Sequence, residues 1–323
     1  RRFFVLTKRA SLFDVDALLD LKNTQPKRNS ITAQNALKIV VQQMEINNYR
    51  PRTIKDYKIH FNNYIQSQGI IYVDEINTES IYSWLSSMDV GAVTKLNRLK
   101  CLKALLTRFK YNGWINTEFY RNIVIKVDKK VNKGASPHDL AILISLIDSK
   151  KFVGYRDIVA ILTLYKTGVR ITTLSYLEER HIDFENLMLI LDGSIMKSRK
   201  LLKLPIDKTL ADYLKQLIEM NHKVRQRCNQ ENNYVFITTN GTCIKHDENS
   251  NAITKQLHKY SIKYGLKNIN AHAIRRAFAK RLLENGASVH LISKALAHAN
   301  LEVTTQYLDL DVNEVAENLR EFI

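Results

Sequence analysis

Residues 272–307 read HAIRRAFAKRLLENGASVHLISKALAHANLEVTTQY, and this stretch carries the most specific pattern in the chain. Its first part has helical spacing. His272 and Arg275 are three residues apart and are predicted to share one face of a helix, while Ile274 and Phe278 belong to an opposite, apolar stripe. The pattern therefore predicts a helix that is buried on one side and presents basic and imidazole groups on the other.

A second amphipathic helix is predicted directly after it. Val289, Ile292 and Leu296 form its apolar face, and His298 stands at its end. Tyr307 follows nine residues after His298. The stretch thus places two histidines, an arginine and a tyrosine within one short helical region.

A further arginine belongs to this constellation. Thr167-Gly-Val-Arg170 joins a helical run to a glycine turn. Phosphodiester transfer needs positive charge on the non-bridging oxygens, a nucleophile, and a proton donor for the leaving oxygen. Arginine suits the first task because its planar fork is always charged. Two arginines and two histidines around a tyrosine can supply these functions without a metal, and no Asp/Glu cluster of the two-metal kind is evident in the sequence.

In this order, the motifs resemble the signature of the tyrosine recombinase (phage integrase) family, which includes Xer-like and transposon integrases. The resemblance covers residues 137–310 and extends more loosely to the helical segment before them. It implies that Arg170 and Arg275 hold the scissile phosphate and that His298 donates a hydrogen bond to it. Tyr307 would attack, leaving a 3′-phosphotyrosine and a free 5′-hydroxyl.

The resemblance also implies the two proton-transfer groups. His272 would be the general base for the tyrosine proton. The family's catalytic lysine lies in a β-turn upstream of a proline, and Lys197, eight residues before Pro205, fits this position best. It would protonate the leaving 5′-oxygen, with Lys200 as the second candidate. Rejoining reverses the chemistry, so the resemblance implies no ATP, metal or other cofactor.

Three positions depart from the family pattern. Thr173 stands where an acidic residue is usual, three residues after the first arginine. Arg276 occupies a position that is often histidine, and Ala297 precedes the histidine of the third motif where glycine is common. None of these changes removes a primary catalytic group, so we expect the chain to be active.

The predicted fold class is mainly α (α+β), with two domains that form a clamp on DNA. An N-terminal extension (1–30) precedes a helical core-binding, SAM-like domain (31–127). A polar, lysine-rich linker (128–136) leads to a mostly helical catalytic domain with a small antiparallel sheet (137–323). An amphipathic helix from about residue 311 follows the nucleophile and could fold onto its own domain; in the family, a helix in this place docks in trans on a neighbouring protomer.

The hydrophobic periodicity places the individual elements. The main helices are predicted at 33–44, 52–67, 78–87, 93–111, 139–149 and 155–166, and a short helical stretch is predicted at 15–21. Strands are predicted at 187–191, 200–204 and 234–238.

The charge indicates a polyanionic partner. The chain has 49 Lys and Arg against 32 Asp and Glu, a net of +17. Residues 1–135 hold 23 basic and 11 acidic residues, a net of +12, whereas the remainder holds 26 and 21, a net of +5. The excess is therefore concentrated in the predicted core-binding part. The partner that fits is double-stranded DNA; the alternative is a solvated basic surface without a function.

The resemblance and the charge together predict a site-specific recombinase that acts as a homotetramer on paired DNA sites, with accessory DNA-bending proteins as further partners. Integration and excision of a mobile element is the first interpretation, and Xer-like dimer resolution the second. Type IB-like DNA relaxation and a catalytically silent DNA-binding regulator are the rivals. No apolar run is long enough to span a membrane, and three isolated cysteines predict a reducing compartment. The expected location is the cytoplasm, associated with the nucleoid.

Overall fold

The computed structural model describes residues 30–128, 133–196, 199–245, 251–298, 304, 305 and 308. The chain divides into two compact units, Arg1–Lys129 and Lys130–Ile323. Both are mostly helical, and a small antiparallel sheet lies in the second, which confirms the predicted fold class. The helical stretch predicted at 15–21 and the tail helix from residue 311 lie outside the described residues. In the described part of the chain, no helix combines the length and the apolar character that crossing a membrane requires.

Four α-helices are described in residues 30–128 of the first unit, and each lies within a few residues of its predicted position. They are α1 (Ala33–Ile46), α2 (Pro51–Gln68), α3 (Thr78–Ser87) and α4 (Ala92–Tyr111). Local sequence sets their ends. Pro51 opens α2 in the first-turn position, and Gly69 closes it in the left-handed conformation with φ 63°. Asn77 caps α3 by accepting a hydrogen bond from the Ser80 backbone amide.

Aromatic side chains form the centre of this unit. The Phe61 and Phe109 rings meet edge to face with centroids 5.4 Å apart, and Tyr64 contacts Trp84 at 5.1 Å. All four side chains are fully buried. These contacts tie α2 to α3 and to α4. Helix α4 also carries six Lys and Arg residues and no Asp or Glu, so the unit combines an apolar core with a strongly basic helix.

Seven α-helices are described in the second unit. They are α5 (Pro137–Leu146), α6 (Phe152–Thr167), α7 (Ile171–Ser175), α8 (Lys208–Cys228), α9 (Ala252–Tyr264), α10 (Ala271–Glu284) and α11 (Val289–Ala295). The predicted start of α5 is confirmed, because the Ser136 hydroxyl accepts from the Asp139 amide and Pro137 occupies the first turn. Helix α6 is buried along most of its length and packs against α8 and α10. It is the central helix of the unit.

The sheet has three antiparallel strands in the order β1-β2-β3. They are β1 (Ile182–Asp183), β2 (Met188–Leu191) and β3 (Leu202–Pro205). The last two form a hairpin in which Leu191 pairs with Leu202. Lys197 belongs to the connection between them. The sequence therefore located both strands of the hairpin to within two residues.

The strand predicted at 234–238 is wrong, because this segment forms only isolated bridges. Side chains from helices capture its carbonyl groups instead. Asn221 Nδ2 donates to the Val235 carbonyl at 2.8 Å, and Arg156 Nη1 donates to the Ile237 carbonyl at 2.9 Å. Since these carbonyls already have partners, burial of the segment does not require a neighbouring strand.

Candidate active site

Arg170, Arg275 and His298 lie together at one corner of the second unit. Arg170 follows the end of α6, Arg275 lies in α10, and His298 follows α11. Gly168, at the C-terminus of α6, makes this meeting sterically feasible. Its φ of 63° is left-handed, and an added Cβ would lie 2.2 Å from the Phe278 ring of α10. A glycine is therefore needed where the chain passes from α6 to Arg170.

Backbone carbonyls orient both guanidinium groups. Arg275 is only 3% exposed and donates from Nη1 to the Gly168 carbonyl and from Nη2 to the Leu296 carbonyl, the latter at 2.5 Å. Arg170 donates from Nη2 to the carbonyl of Ala297 at 3.2 Å. Consecutive carbonyls of one turn thus hold the two arginines in fixed orientations, as preorganised binding of an anion requires.

The turn that supplies these carbonyls ends α11. The Ala297 amide donates to the Lys294 carbonyl at 2.9 Å, and the His298 amide donates to the Ser293 carbonyl at 3.0 Å. This is the Schellman arrangement, which requires a left-handed residue at the position of Ala297. Ala297 has φ 47°. The geometry gives a physical reason why glycine is favoured there, and it shows that alanine adopts the same turn.

His298 lies between Arg275 and Thr304. Its Nε2 is 3.2 Å from Arg275 Nη2, and its Nδ1 is 2.9 Å from the hydroxyl oxygen of Thr304, a fully buried side chain. Burial, reinforced by the positive charges of Arg275 and Arg170, lowers the pKa of His298 to about 4. The imidazole is therefore neutral at neutral pH in this arrangement.

His272 lies in the first turn of α10 with an exposed side chain, whereas Arg275 on the same helix is buried. The prediction that both lie on the face opposite the buried one is therefore wrong for Arg275, which contacts the end of α6 and the turn after α11. Lys197 and Tyr307 lie outside the described residues. Lys200, the second candidate for the lysine, is exposed near the start of β3. The structure thus brings three of the six predicted residues together, and the roles of all six stay predictions.

Two side chains contact the first part of the connection between β2 and β3. The Thr173 hydroxyl of α7 lies 3.4 Å from the Ile195 carbonyl, which ties the connection to the helix that follows Arg170. At its base, His181 Nε2 lies 3.3 Å from Asp192 Oδ2, and a Cβ on Gly193 would lie 2.7 Å from the carbonyl of Arg199. The first residues of the connection therefore have defined partners, and its backbone approaches itself closely at Gly193 and Arg199.

Sequence reasoning missed several of these supporting groups. His181 has no motif around it, but the structure buries it beside the start of the connection, where Nδ1 accepts from the Glu178 amide at 2.9 Å. Thr304 lies three residues before Tyr307 in the sequence. No spacing signal links Thr304 to His298, because the two are six residues apart, a separation that does not place residues on one face of a helix. No group of three or more His, Cys, Asp or Glu side chains in the described residues is placed to hold a metal ion.

Residues 136–314, more than half of the chain, match the Phage integrase family. The chain belongs to the phage integrase family. Related members of known class include the tyrosine recombinase XerD of Staphylococcus haemolyticus, which is 27% identical over 280 residues, covering 84% of this chain and 90% of that protein. The tyrosine recombinase XerA of Thermococcus onnurineus is 24% identical over 272 residues, covering 84% and 89%.

Solved structures of two integrases share the fold. The Tn1549 transposon integrase in complex with transposon right end DNA superposes with a TM-score of 0.72 at 18% identity, covering 91% of this chain and 99% of that one. A lambda integrase dimer bound to a COC′ core site gives a TM-score of 0.66 at 15% identity, covering 91% and 85%. The family assignment therefore agrees with the resemblance found in the motifs, and this chain is a tyrosine recombinase by family.

Proposed function

We propose that this protein is a site-specific DNA recombinase that cleaves and rejoins DNA through a covalent bond to Tyr307. The observation that carries the proposal is the meeting of Arg170, Arg275 and His298, which come from three separate parts of the chain. Two guanidinium groups held by neighbouring carbonyls and a neutral imidazole form a preorganised site for one phosphate.

The proposed chemistry follows from these groups. Arg170 and Arg275 hold the non-bridging oxygens of the scissile phosphate, and His298 donates a hydrogen bond to it. The Tyr307 oxygen attacks phosphorus while its proton passes to His272. The bond from phosphorus to the 5′-oxygen breaks, and Lys197 gives that oxygen a proton. Attack by a 5′-hydroxyl on the phosphotyrosine reverses these steps, so strand exchange needs no external energy source.

Double-stranded DNA is the proposed partner, and the first unit would provide much of the binding. The basic helix α4 supports this, as do the +12 net charge of residues 1–135 and the DNA-bound state of the solved relatives. The two units would close around the duplex as a clamp. Because most contacts would be to phosphates, binding should weaken steeply with salt. Recombination joins two sites, so the active form would be a tetramer with the tail helix from residue 311 docked in trans.

Two biological roles are supported. Integration and excision of a mobile element fits the fold shared with the Tn1549 transposon integrase. Xer-like resolution of DNA dimers is the second candidate, because the XerD and XerA relatives cover 84% of this chain. Adducts at the ends of a mobile element would support the first role, and adducts at one chromosomal locus outside any element would support the second.

Covalent capture tests the proposal. The protein is expressed in its source cell and denatured, protein-linked DNA is recovered, and the ends are sequenced. We expect adducts at a few discrete sites from the wild type and from Tyr111→Phe, which changes an exposed tyrosine of the first unit, and none from Tyr307→Phe. Adducts scattered over the genome would instead indicate relaxation of the type IB kind. DNA binding without any adduct would leave the silent-regulator interpretation.

A further inference from the structure

The two ring nitrogens of His298 have partners that define its proton position. An arginine guanidinium only donates hydrogen bonds, so His298 Nε2, 3.2 Å from Arg275 Nη2, must be the acceptor. In a neutral imidazole the proton then lies on Nδ1. That nitrogen is 2.9 Å from Thr304 Oγ1, so Nδ1–H donates to the threonine oxygen. These contacts therefore favour the Nδ1–H tautomer.

The proposed role of His298 needs the opposite arrangement. To donate to a phosphate oxygen, the ring must carry a proton on Nε2, the nitrogen that now faces Arg275. A neutral ring with Nε2–H has a lone pair on Nδ1, which then requires a donor. A threonine hydroxyl can accept in the first state and donate in the second by rotating about its C–O bond. An apolar side chain of the same shape can do neither.

We propose that Thr304 is a positioning residue that holds the His298 ring in place through a change of tautomer during phosphate binding. In the DNA-free protein Thr304 accepts from Nδ1–H; with phosphate bound, it donates to Nδ1 while Nε2–H donates to the phosphate. Nδ1 releases one proton to water and Nε2 takes one from water, so the ring stays neutral throughout.

The surroundings favour a tautomer change over a gain of charge. Burial, and then the positive charges of Arg275 and Arg170, lower the pKa of His298, and Thr304 is fully buried beside it. A second proton on the ring would place a third positive charge among these groups. Moving one proton between the two nitrogens avoids that cost. This inference rests on the proposed function, since it assumes that His298 contacts the phosphate.

Nitrogen-15 NMR of the histidine rings tests the DNA-free state directly in the full chain. The His298 signal is assigned by its loss in His298→Gln. We expect a protonated Nδ1 and an unprotonated Nε2 in the wild type and in Thr304→Ser, and a shift toward the Nε2–H tautomer in Thr304→Val. An Nε2–H tautomer in the wild type would overturn the proposal, and this readout does not depend on DNA cleavage.

Cleavage rates test the functional part. Single-turnover adduct formation is measured on a suicide substrate built from the captured site. Thr304→Val should slow cleavage about tenfold at saturating DNA with unchanged DNA affinity, while Thr304→Ser stays within about twofold of the wild type. The control is Thr305→Val, which alters the adjacent, exposed threonine. Equal rates for Thr304→Val and the wild type would refute the positioning role. No adduct from the wild type would instead refute the proposed function.

Discussion

Two arginines of the second unit, Arg156 and Arg275, are buried to the same extent but have different hydrogen-bond partners. Each is 3% exposed. Arg156 forms an ion pair with the neighbouring Asp157 at 2.7 Å, and Tyr260 donates to the same carboxylate at 2.9 Å. Arg275 donates to two backbone carbonyls and lies against the neutral imidazole of His298.

The chemistry of the partners decides what each buried charge can do. A carboxylate partner compensates Arg156 inside the protein, and removal of one member leaves the other uncompensated. Carbonyls and a neutral ring orient Arg275 without cancelling its charge. A guanidinium held in this way keeps its attraction for an incoming anion such as a DNA phosphate. Thus Arg156 is a structural residue, whereas Arg275 is suited to bind substrate.

The largest expected effect is the loss of chemistry on replacing Arg275. Arg275→Met should lower adduct formation about 10³-fold, because charge that develops on the phosphate loses a preorganised donor. The measurement is single-turnover cleavage of a suicide substrate. Arg276→Met removes the same charge one residue along the helix and should remain within a few-fold of the wild type. Similar losses in both variants would contradict a specific role for Arg275.

Replacing Arg156 should instead affect stability. Arg156→Met leaves Asp157 buried without its cation, so we expect the free energy of unfolding to fall by about 3 kcal/mol in urea denaturation. The double variant Arg156→Met/Asp157→Leu should recover part of this loss, because no isolated charge remains, although the Ile237 carbonyl and the Tyr260 hydroxyl lose their hydrogen bonds. Cleavage by the folded fraction of either variant should be near that of the wild type. Failure of the double variant to recover stability would show that the pair is not coupled in this way.

Burial of His298 and the positive charges of Arg275 and Arg170 should make the stability of the protein depend on pH. The pKa of this histidine is about 4 in the folded protein, below its ordinary value of 6.5, owing to burial and to the charges of Arg275 and Arg170. As the pH falls from 6.5 to 4, the unfolded chain takes up a proton that the folded protein does not. Stability is therefore full above pH 6.5 and is lost as the pH falls toward 4. We expect about 1 kcal/mol, allowing for partial exposure of the ring.

Comparison with His298→Gln isolates this contribution. Urea unfolding of both proteins is measured between pH 4 and 7.5, and the difference in unfolding free energy is plotted against pH. The wild type should lose more stability than the variant over the window from 6.5 to 4. Parallel curves would mean that the neighbouring arginines do not suppress protonation of His298.

Sequence periodicity predicted the helices well because their stability depends on local spacing of apolar residues. Helix α4, for example, was expected at 93–111 and spans Ala92–Tyr111. The prediction of a strand at 234–238 was wrong because the carbonyls of this segment accept hydrogen bonds from side chains that are distant in sequence. Arg156, which binds the Ile237 carbonyl, lies 81 residues away. Local pattern contains no information about such a partner.

In the candidate site, too, features with a local sequence pattern were predicted, and those without one were not. Arg170, Arg275 and His298 were identified from motifs whose order is specific, and the structure brings these three together. The groups that orient the two arginines were not predicted, since they are backbone carbonyls, at Gly168, Leu296 and Ala297, which every residue possesses. Roles that depend on main-chain atoms leave almost no trace in residue identity.

The smallest expected effect concerns the turn after α11, which positions the Leu296 and Ala297 carbonyls. Ala297 has φ 47°, which costs a non-glycine residue about 1–2 kcal/mol. Ala297→Gly relieves this strain but increases the entropy of the unfolded chain, so we expect a net gain of about 0.5 kcal/mol in unfolding free energy. The matched control is Gly168→Ala, a left-handed position where the added methyl would meet the Phe278 ring, and it should be destabilising. If Ala297→Gly instead destabilises the protein or slows cleavage, then the alanine methyl group contributes to holding the Leu296 and Ala297 carbonyls, and the site is supported by packing as well as by hydrogen bonds.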